Sequence, residues 1–237
     1  MTEFEILFGI KEAEIKDTCV LLPLVPPGLR KYPGLSKAGR GKLYSVFSGD
    51  ALTFIRTGVG SALTGDAVLY LEKTPARRLV LFGSCGLLQG VPGLAAGDLV
   101  SPEKSLSLES FTSLLKDKIP SADWAFPSGG LYGNFMSVSG NKVKKTVAAA
   151  MGSLKLEEER APFLKEKGVE VVDMESSAFF AAGKNIGRET LALFYIFDAV
   201  TSLPFYAQRS REEEQMIESR VLEGIALLEK NIPGHSL

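Results

Sequence analysis

Apolar residues along this chain gather in short runs that stop at glycine, acid or proline and alternate with amphipathic stretches. Phe4 to Ile10 reads as a first strand and Lys11 to Val20 as the helix after it. Pro23 to Gly41, rich in Pro, Gly and basic residues, reads as a loop. Lys42 to Phe47 and Ala51 to Ile55 flank the Ser48-Gly49-Asp50 turn, a hairpin signal. Thr57-Gly58-Val59-Gly60 then opens a helix that runs to about Lys73. Arg78 to Phe82 is a compact apolar strand ending at Gly83-Ser84-Cys85-Gly86, and Asp98 to Ser101 is another short strand. Residues 103–132 look irregular, Phe135 to Val138 strand-like, and Lys142 to Met151 helical.

In the last third, Val169 to Val172 predicts a strand, Met174 to Lys184 a helix, and Thr190 to Phe197 a strand that stops at Asp198. Between Glu212 and Lys230, Met216, Ile217, Val221, Ile225 and Leu228 recur at helical spacing, which predicts an amphipathic closing helix. Strands alternating with helices argue for an α/β fold around a largely buried sheet. No repeat, low-complexity tract or strong linker divides the 237 residues, so a single domain over residues 1–237 is expected.

Composition mainly excludes. Hydrophobic residues make up 45% and charged residues 23%, ordinary for a chain that buries a sizeable core. The net charge of −1 gives no global reason to bind nucleic acid or an anionic membrane. No apolar run approaches the roughly 20 residues of a membrane-spanning helix, and the acidic N-terminus lacks a secretory layout. Cys19 and Cys85 are too few for a disulfide framework. A reduced, cytoplasmic protein is the expectation. The lone histidine, His235, lies in the terminal tail, so neither histidine catalysis nor a histidine metal site is expected.

The chemistry collects at proposed strand ends, where open α/β sheets bind ligands. Phe8-Gly9 leads to Glu12 and Glu14, Phe82 to Gly83-Ser84-Cys85-Gly86, Val172 to Asp173-Met174-Glu175, and Phe197 to Asp198. Each has an ordinary reading too. An acid in a first helical turn complements the dipole, Gly-Ser-Cys-Gly makes a tight turn, and Asp198 can close an Asx turn. A carboxylate between an apolar strand and an apolar helix nevertheless costs several kcal/mol to bury unpartnered.

Taken in order, these segments resemble the purine nucleoside phosphorylase and nucleosidase superfamily. The resemblance runs through Thr57-Gly58-Val59-Gly60, Gly83-Ser84-Cys85-Gly86-Leu87, Gly97-Asp98-Leu99-Val100, Asp173-Met174-Glu175-Ser176 and the strand ending at Asp198. It implies a three-layer α/β/α subunit with a mixed, curved sheet, and cleavage of the bond between C1′ and the base of a nucleoside. Glu175 would accept the ribose 2′- and 3′-hydroxyls, with Met174 under the sugar. Asp198 would share a proton with purine N7. Ser84, Cys85 and Gly86 would line the site, Asn141 would contact the base, and Phe205 would close over the 5′ end. The resemblance implies a small nucleoside as partner and a homo-oligomer, a dimer for a hydrolase. It implies no metal and no cofactor.

Two readings of the nucleophile follow. Phosphorylases of the superfamily hold phosphate with arginines, one of them just before the Gly-Ser-Cys-Gly turn, where this chain has Leu81. The segment Phe8 to Ile15 resembles the water-activating element of methylthioadenosine/S-adenosylhomocysteine nucleosidase, with Glu14 as base and Glu12 as fallback. Hydrolysis is therefore expected over phosphorolysis, with non-catalytic nucleoside binding as a third reading. The chain departs from the family at Phe194-Tyr195-Ile196-Phe197, where residues that usually orient the acid are absent, and in the 137–141 loop, which lacks a stacking aromatic.

Overall fold

The run from Arg78 to Leu87 forms strand β5, and the rest of the sheet is arranged around it. A computed structural model describes residues 1–116 and 123–232; His235 lies outside the described residues. Four strands lie to one side of β5: β1 (Thr18–Leu22), β4 (Leu52–Arg56), β3 (Ser45–Ser48) and β2 (Ser36–Arg40). On its other edge β5 pairs in parallel with β10 (Glu189–Ala199). From there the sheet continues through β6 (Leu99–Leu108), β8 (Val143–Met151) and β9 (Val171–Asp173). β9 returns to pair antiparallel with β5 at Gly86 and Leu87. Five strands thus close into a ring while the other four splay away. A two-residue strand, β7 (Trp124–Ala125), adds to β6.

Both faces of this mixed sheet are covered, which gives the expected three layers. Leu79 and Leu81 of β5 point to one face, where they meet α1 (Glu3–Phe8), α2 (Ser61–Tyr70) and α6 (Ser176–Asn185) through Phe8, Val68 and Phe179. Val80 and Phe82 point to the other, against α4 (Gly129–Ser139) and α7 (Arg211–Asn231) through Phe135, Val221 and Ile225. Strand side chains alternate between faces, so a strand buried on both reads as an unbroken apolar run. Each large side chain so buried contributes about 1.5–3 kcal/mol relative to exposure. A third cluster joins α5 (Leu154–Glu166) to β8 and β9 through Leu156, Leu164, Met151 and Val172. The short helix α3 (Phe111–Leu115) adds Leu114 there.

The hairpin around Gly49, the helix after Gly60, the strand ending at Asp198 and the closing helix all form as the pattern predicts. Elsewhere the pattern misleads. Phe4 to Phe8 is a helix, not a strand. Thr2 and Glu5 make a reciprocal capping box, Phe4 and Phe8 stack at 4.1 Å one turn apart, and Gly9 ends the helix at φ 77°. Lys11 to Val20 is no α-helix: a single 3₁₀ turn at Glu12–Glu14 precedes strand β1. The expected loop before Gly41 contains edge strand β2, and the irregular stretch after residue 103 begins as the second half of β6. Residues 135–138 belong to helix α4. Residues 143–151 form strand β8, because parallel pairing with β6 on one edge and β9 on the other overrides the helical preference of its alanines.

Candidate active site

β5 changes partner halfway along one edge. β1 pairs with it as far as Leu81, and β9 joins only from Gly86. Between them, Phe82 to Cys85 has no strand neighbour on that side. A cavity of about 180 Å³ occupies the gap. Gly83, Ser84, Cys85 and Gly86 line its floor, with Pro23 and Leu24 at the end of β1 on one side and Val172 to Glu175 at the end of β9 on the other. This is the switch point at strand carboxyl ends where α/β sheets collect ligands.

Asp198 enters through a bulge. The β10–β5 register shifts between Ile196, opposite Cys85, and Asp198, opposite Gly86, leaving Phe197 as the extra residue. Bulges of this kind re-aim a side chain, and here they send a 7% exposed carboxylate into the cavity. A Cβ on residue 86 would lie 3.2 Å from Asp198 Oδ2 and 3.1 Å from Val200. Glycine at 86 is what lets the acid approach β5 so closely.

The Asp-Met-Glu-Ser segment divides its labour. Asp173 Oδ1 accepts the N–H groups of Glu175 and Ser176 at 2.7 and 2.6 Å, and Oδ2 accepts the Ser176 hydroxyl at 2.5 Å. Asp173 therefore caps the start of α6, the structural role open to a helix-start acid. With its carboxylate so engaged, the strand-to-helix turn is held and Glu175 projects into the cavity. Gly60 N–H donates to Glu175 Oε1 at 2.6 Å, and the Ser61 hydroxyl donates to the Met174 carbonyl at 2.7 Å. Gly58 and Gly60 take φ of 92° and 110°, a region closed to most side chains. The Thr-Gly-Val-Gly turn is thus a clamp on Glu175.

A family model described as the Phosphorylase superfamily matches residues 26–223. The chain belongs to that superfamily. No curated protein matches the sequence. Among solved structures, uridine phosphorylase from Vibrio fischeri superposes with a TM-score of 0.71 at 20% identity, covering 93% of each chain. The Campylobacter jejuni 5′-methylthioadenosine/S-adenosyl homocysteine nucleosidase superposes at 0.71 with 13% identity, covering 91% of this chain and 97% of that one. A futalosine hydrolase mutant from Helicobacter pylori gives 0.70 at 15% identity, covering 92% and 99%. At such identities the likeness is one of fold.

In this superfamily member the ionisable side chains of a largely apolar cavity include four carboxyls. Glu157 from α5 joins Asp173, Glu175 and Asp198 in its wall, and no Lys, Arg or His lines it among the described residues. Burial pushes all four carboxyls upward, because the charged form loses its hydration. Glu157 rises to about 9, through burial first and the Asp198, Asp173 and Glu175 charges after it. Glu175 rises to about 8, through burial and then Asp173, against the Gly60 hydrogen bond. Asp173 rises to about 6, burial outweighing its own hydrogen bonds. Asp198 also reaches about 6, burial being opposed by Arg209. The Arg209 guanidinium stacks 3.8 Å over the Phe197 ring and donates to the Phe197 carbonyl at 2.8 Å. Burial likewise raises the Cys85 thiol, which disfavours its thiolate form. Among the described residues no group of three or more His, Cys, Asp or Glu is arranged to hold a metal.

Glu175, Met174, Ser84, Cys85, Gly86, Asp198 and Phe205 all line this one cavity. Two expected residues do not. Glu14 is exposed and lies before the first residue of β1, at the opposite end of that strand from Pro23 and Leu24. Its carboxylate accepts the Lys11 N–H at 2.9 Å. The error lies in the first strand: with β1 at Thr18–Leu22, the segment that follows it carries no acid. Asn141 is exposed at the start of β8, whose far end, not its near one, leads to the cavity. Glu157, Tyr195 and Leu154 line the cavity unforeseen. Glu157 had a signal. Among Glu157-Glu158-Glu159, only Glu157 shares a helix face with Ala161 and Leu164, at i, i+4 and i+7, and all three are buried.

Proposed function

We propose that this protein hydrolyses the N-glycosidic bond of a purine nucleoside. The observation that carries the proposal is the cavity's charge: among the described residues four carboxyls and no Lys, Arg or His line it. Phosphate arrives at neutral pH as an anion, and a wall of acids with nothing to balance that anion disfavours it. Water carries no such penalty, and the same acids favour the positive charge that an oxocarbenium-like sugar develops as its bond to the base breaks.

Within this reading, ionised Glu175 accepts the ribose 2′- and 3′-hydroxyls. Two hydroxyl donors suit an acceptor-only group, and they supply the stabilisation that the empty cavity withholds from its anion. Asp198 gives its proton to the leaving base, for which a carboxyl that titrates near 6 is far better placed than an ordinary one. The C1′–N bond breaks, a water oxygen bonds to C1′ and releases its proton to solvent, Asp198 regains a proton from solvent, and free base and free pentose leave. The exposed apolar rim of Leu24, Val59, Leu154 and Phe205 supports a substrate with a weakly polar 5′ end facing the mouth.

Adenosine, inosine, guanosine, 5′-methylthioadenosine and uridine, incubated with the protein with and without phosphate, test the proposal. Free base and free pentose at equal rates in both buffers are expected from a purine nucleoside. Sugar 1-phosphate formed only with phosphate establishes phosphorolysis instead, and binding without base release establishes a non-catalytic member.

A further inference from the structure

Helix α6 starts immediately after Glu175, and two hydroxyls in its first turn reach away from the cavity to strand β6. Ser176 Oγ lies 2.7 Å from Ser105 Oγ, and the Ser177 hydroxyl donates to Glu109 Oε1. Ser105 belongs to β6, and Glu109 directly follows it. Both lie on the strand face opposite Leu106 and Leu108, which pack into the α5 cluster. Neither Ser105 nor Glu109 lines the cavity.

The serine pair has a direction. Ser176 donates to Asp173 Oδ2 at 2.5 Å, and a hydroxyl holds one proton, so the hydrogen between the two serines comes from Ser105. Asp173 Oδ1 in turn accepts the Glu175 N–H at 2.7 Å. Three hydrogen bonds therefore run unbroken from Ser105 to the backbone of Glu175. Ser105, Ser176 and Asp173 are all buried, where hydrogen bonds in series strengthen one another. The Glu175 side chain does not cap its own helix; Gly60 N–H holds it on the cavity side. Its aim is thus set by how the turn is gripped from behind.

We propose that Ser105 and Glu109 are positioning residues for Glu175: from outside the cavity, β6 fixes the turn that aims the sugar-binding carboxylate. This deepens the nucleoside reading above and rests on it. Two neighbouring hydroxyls of a ribose meet one carboxylate at defined points. A displacement of about 1 Å is enough to spoil such an alignment, and buried support behind a binding group is what prevents it. Loosening the turn therefore weakens the diol contact while the rest of the cavity stays in place.

Calorimetric titration tests this with 9-deazaadenosine, a C-nucleoside that water cannot cleave, and its 2′,3′-dideoxy analogue. The proteins are wild type, Ser105→Ala, Glu109→Leu and Glu109→Gln, with melting curves to verify that each folds. Ser105→Ala keeps the backbone pairing of β6 with β7 and β8. Affinity for the ribose ligand should fall about three- to tenfold in Ser105→Ala and in Glu109→Leu, the size of one hydrogen bond. Glu109→Gln, which keeps an acceptor for Ser177, should stay within about twofold. The dideoxy ligand should bind all four proteins alike, a discrimination that general loosening of the fold would not produce. Unchanged affinity for the ribose ligand in Ser105→Ala and Glu109→Leu, equal losses for both ligands, or a loss in Gln as large as in Leu overturns the positioning role and leaves nucleoside cleavage standing. A wild type that binds neither ligand and releases base from no nucleoside removes both.

Discussion

Acids at the two ends of the sheet live under opposite conditions. At the strand starts, Asp17 pairs with Arg78 at 2.8 Å, Glu189 lies 3.7 Å from the same guanidinium, and Glu14 faces solvent. At the strand ends around the cavity, Glu157, Asp173, Glu175 and Asp198 are buried together, with no Lys, Arg or His among the described residues of the wall. Surface ion pairs contribute about 0–1 kcal/mol. A cluster of like charges in low dielectric opposes folding. The second arrangement persists only where something other than stability selects it, and perturbed carboxyls in a cleft are the usual mark of a functional site.

The largest expected effects lie at the cavity end. Asp198→Asn and Glu175→Gln should each lower nucleoside turnover by about 10²–10⁴ in a base-release assay. The matching change at the other end, Glu14→Gln, should leave turnover within about twofold. A large loss at Glu14, or none at Asp198 and Glu175, would break the contrast between the two ends.

Next comes geometry. Gly86→Ala should cost about tenfold or more in kcat, since its methyl group would press on Asp198 and Val200. The loss should exceed that of Gly83→Ala, where the added Cβ meets only Pro23 at an ordinary 3.6 Å.

Stability against pH sharpens the comparison further. Glu157 titrates near 9 when folded against an ordinary 4.5, so the folded chain holds a proton that the unfolded one releases between those values. Stability should therefore fall as pH rises from about 4.5 to about 9. Melting curves of Glu157→Gln should show a shallower fall, with Tm at pH 8 above wild type by at least about 2–4 °C, the shift of about 1 kcal/mol in a chain of this size. Asp17→Asn should move Tm little. A Glu157→Gln Tm at or below wild type at pH 8 would count against a strained cavity.

The smallest expected effect concerns Arg209, which holds the Asp198 value down. Arg209→Leu should move the limb on which turnover declines with rising pH to higher pH. An unmoved pH profile would show that this cation does not tune the acid.

Much of the site was legible because short motifs carry it. Gly-Ser-Cys-Gly, Asp-Met-Glu-Ser and the Asp after an apolar strand fall at three strand ends, and those ends meet. The Phe4–Ile10 stretch was misread because Phe4-Glu5-Ile6 alternates like a strand, while Phe4 and Phe8 also satisfy a helical pair. Thr2 with Glu5, a capping box, held the answer. The same alternation puts Glu14 after a strand in the sequence pattern, whereas the first strand forms beyond it, at Thr18–Leu22. Glu157 went unseen inside an acidic run that looks like a solvated face until the positions of Ala161 and Leu164 are counted with it.

The chain's residues in their own order determined the fold class, the family and the acids at 175 and 198, because periodicity and short motifs are local properties. Only the folded molecule decided which strand comes first, where β5 changes partners and which glutamate of three turns inward. Those outcomes depend on pairing between distant segments, and on packing that sets the proton affinity of each buried acid by what surrounds it.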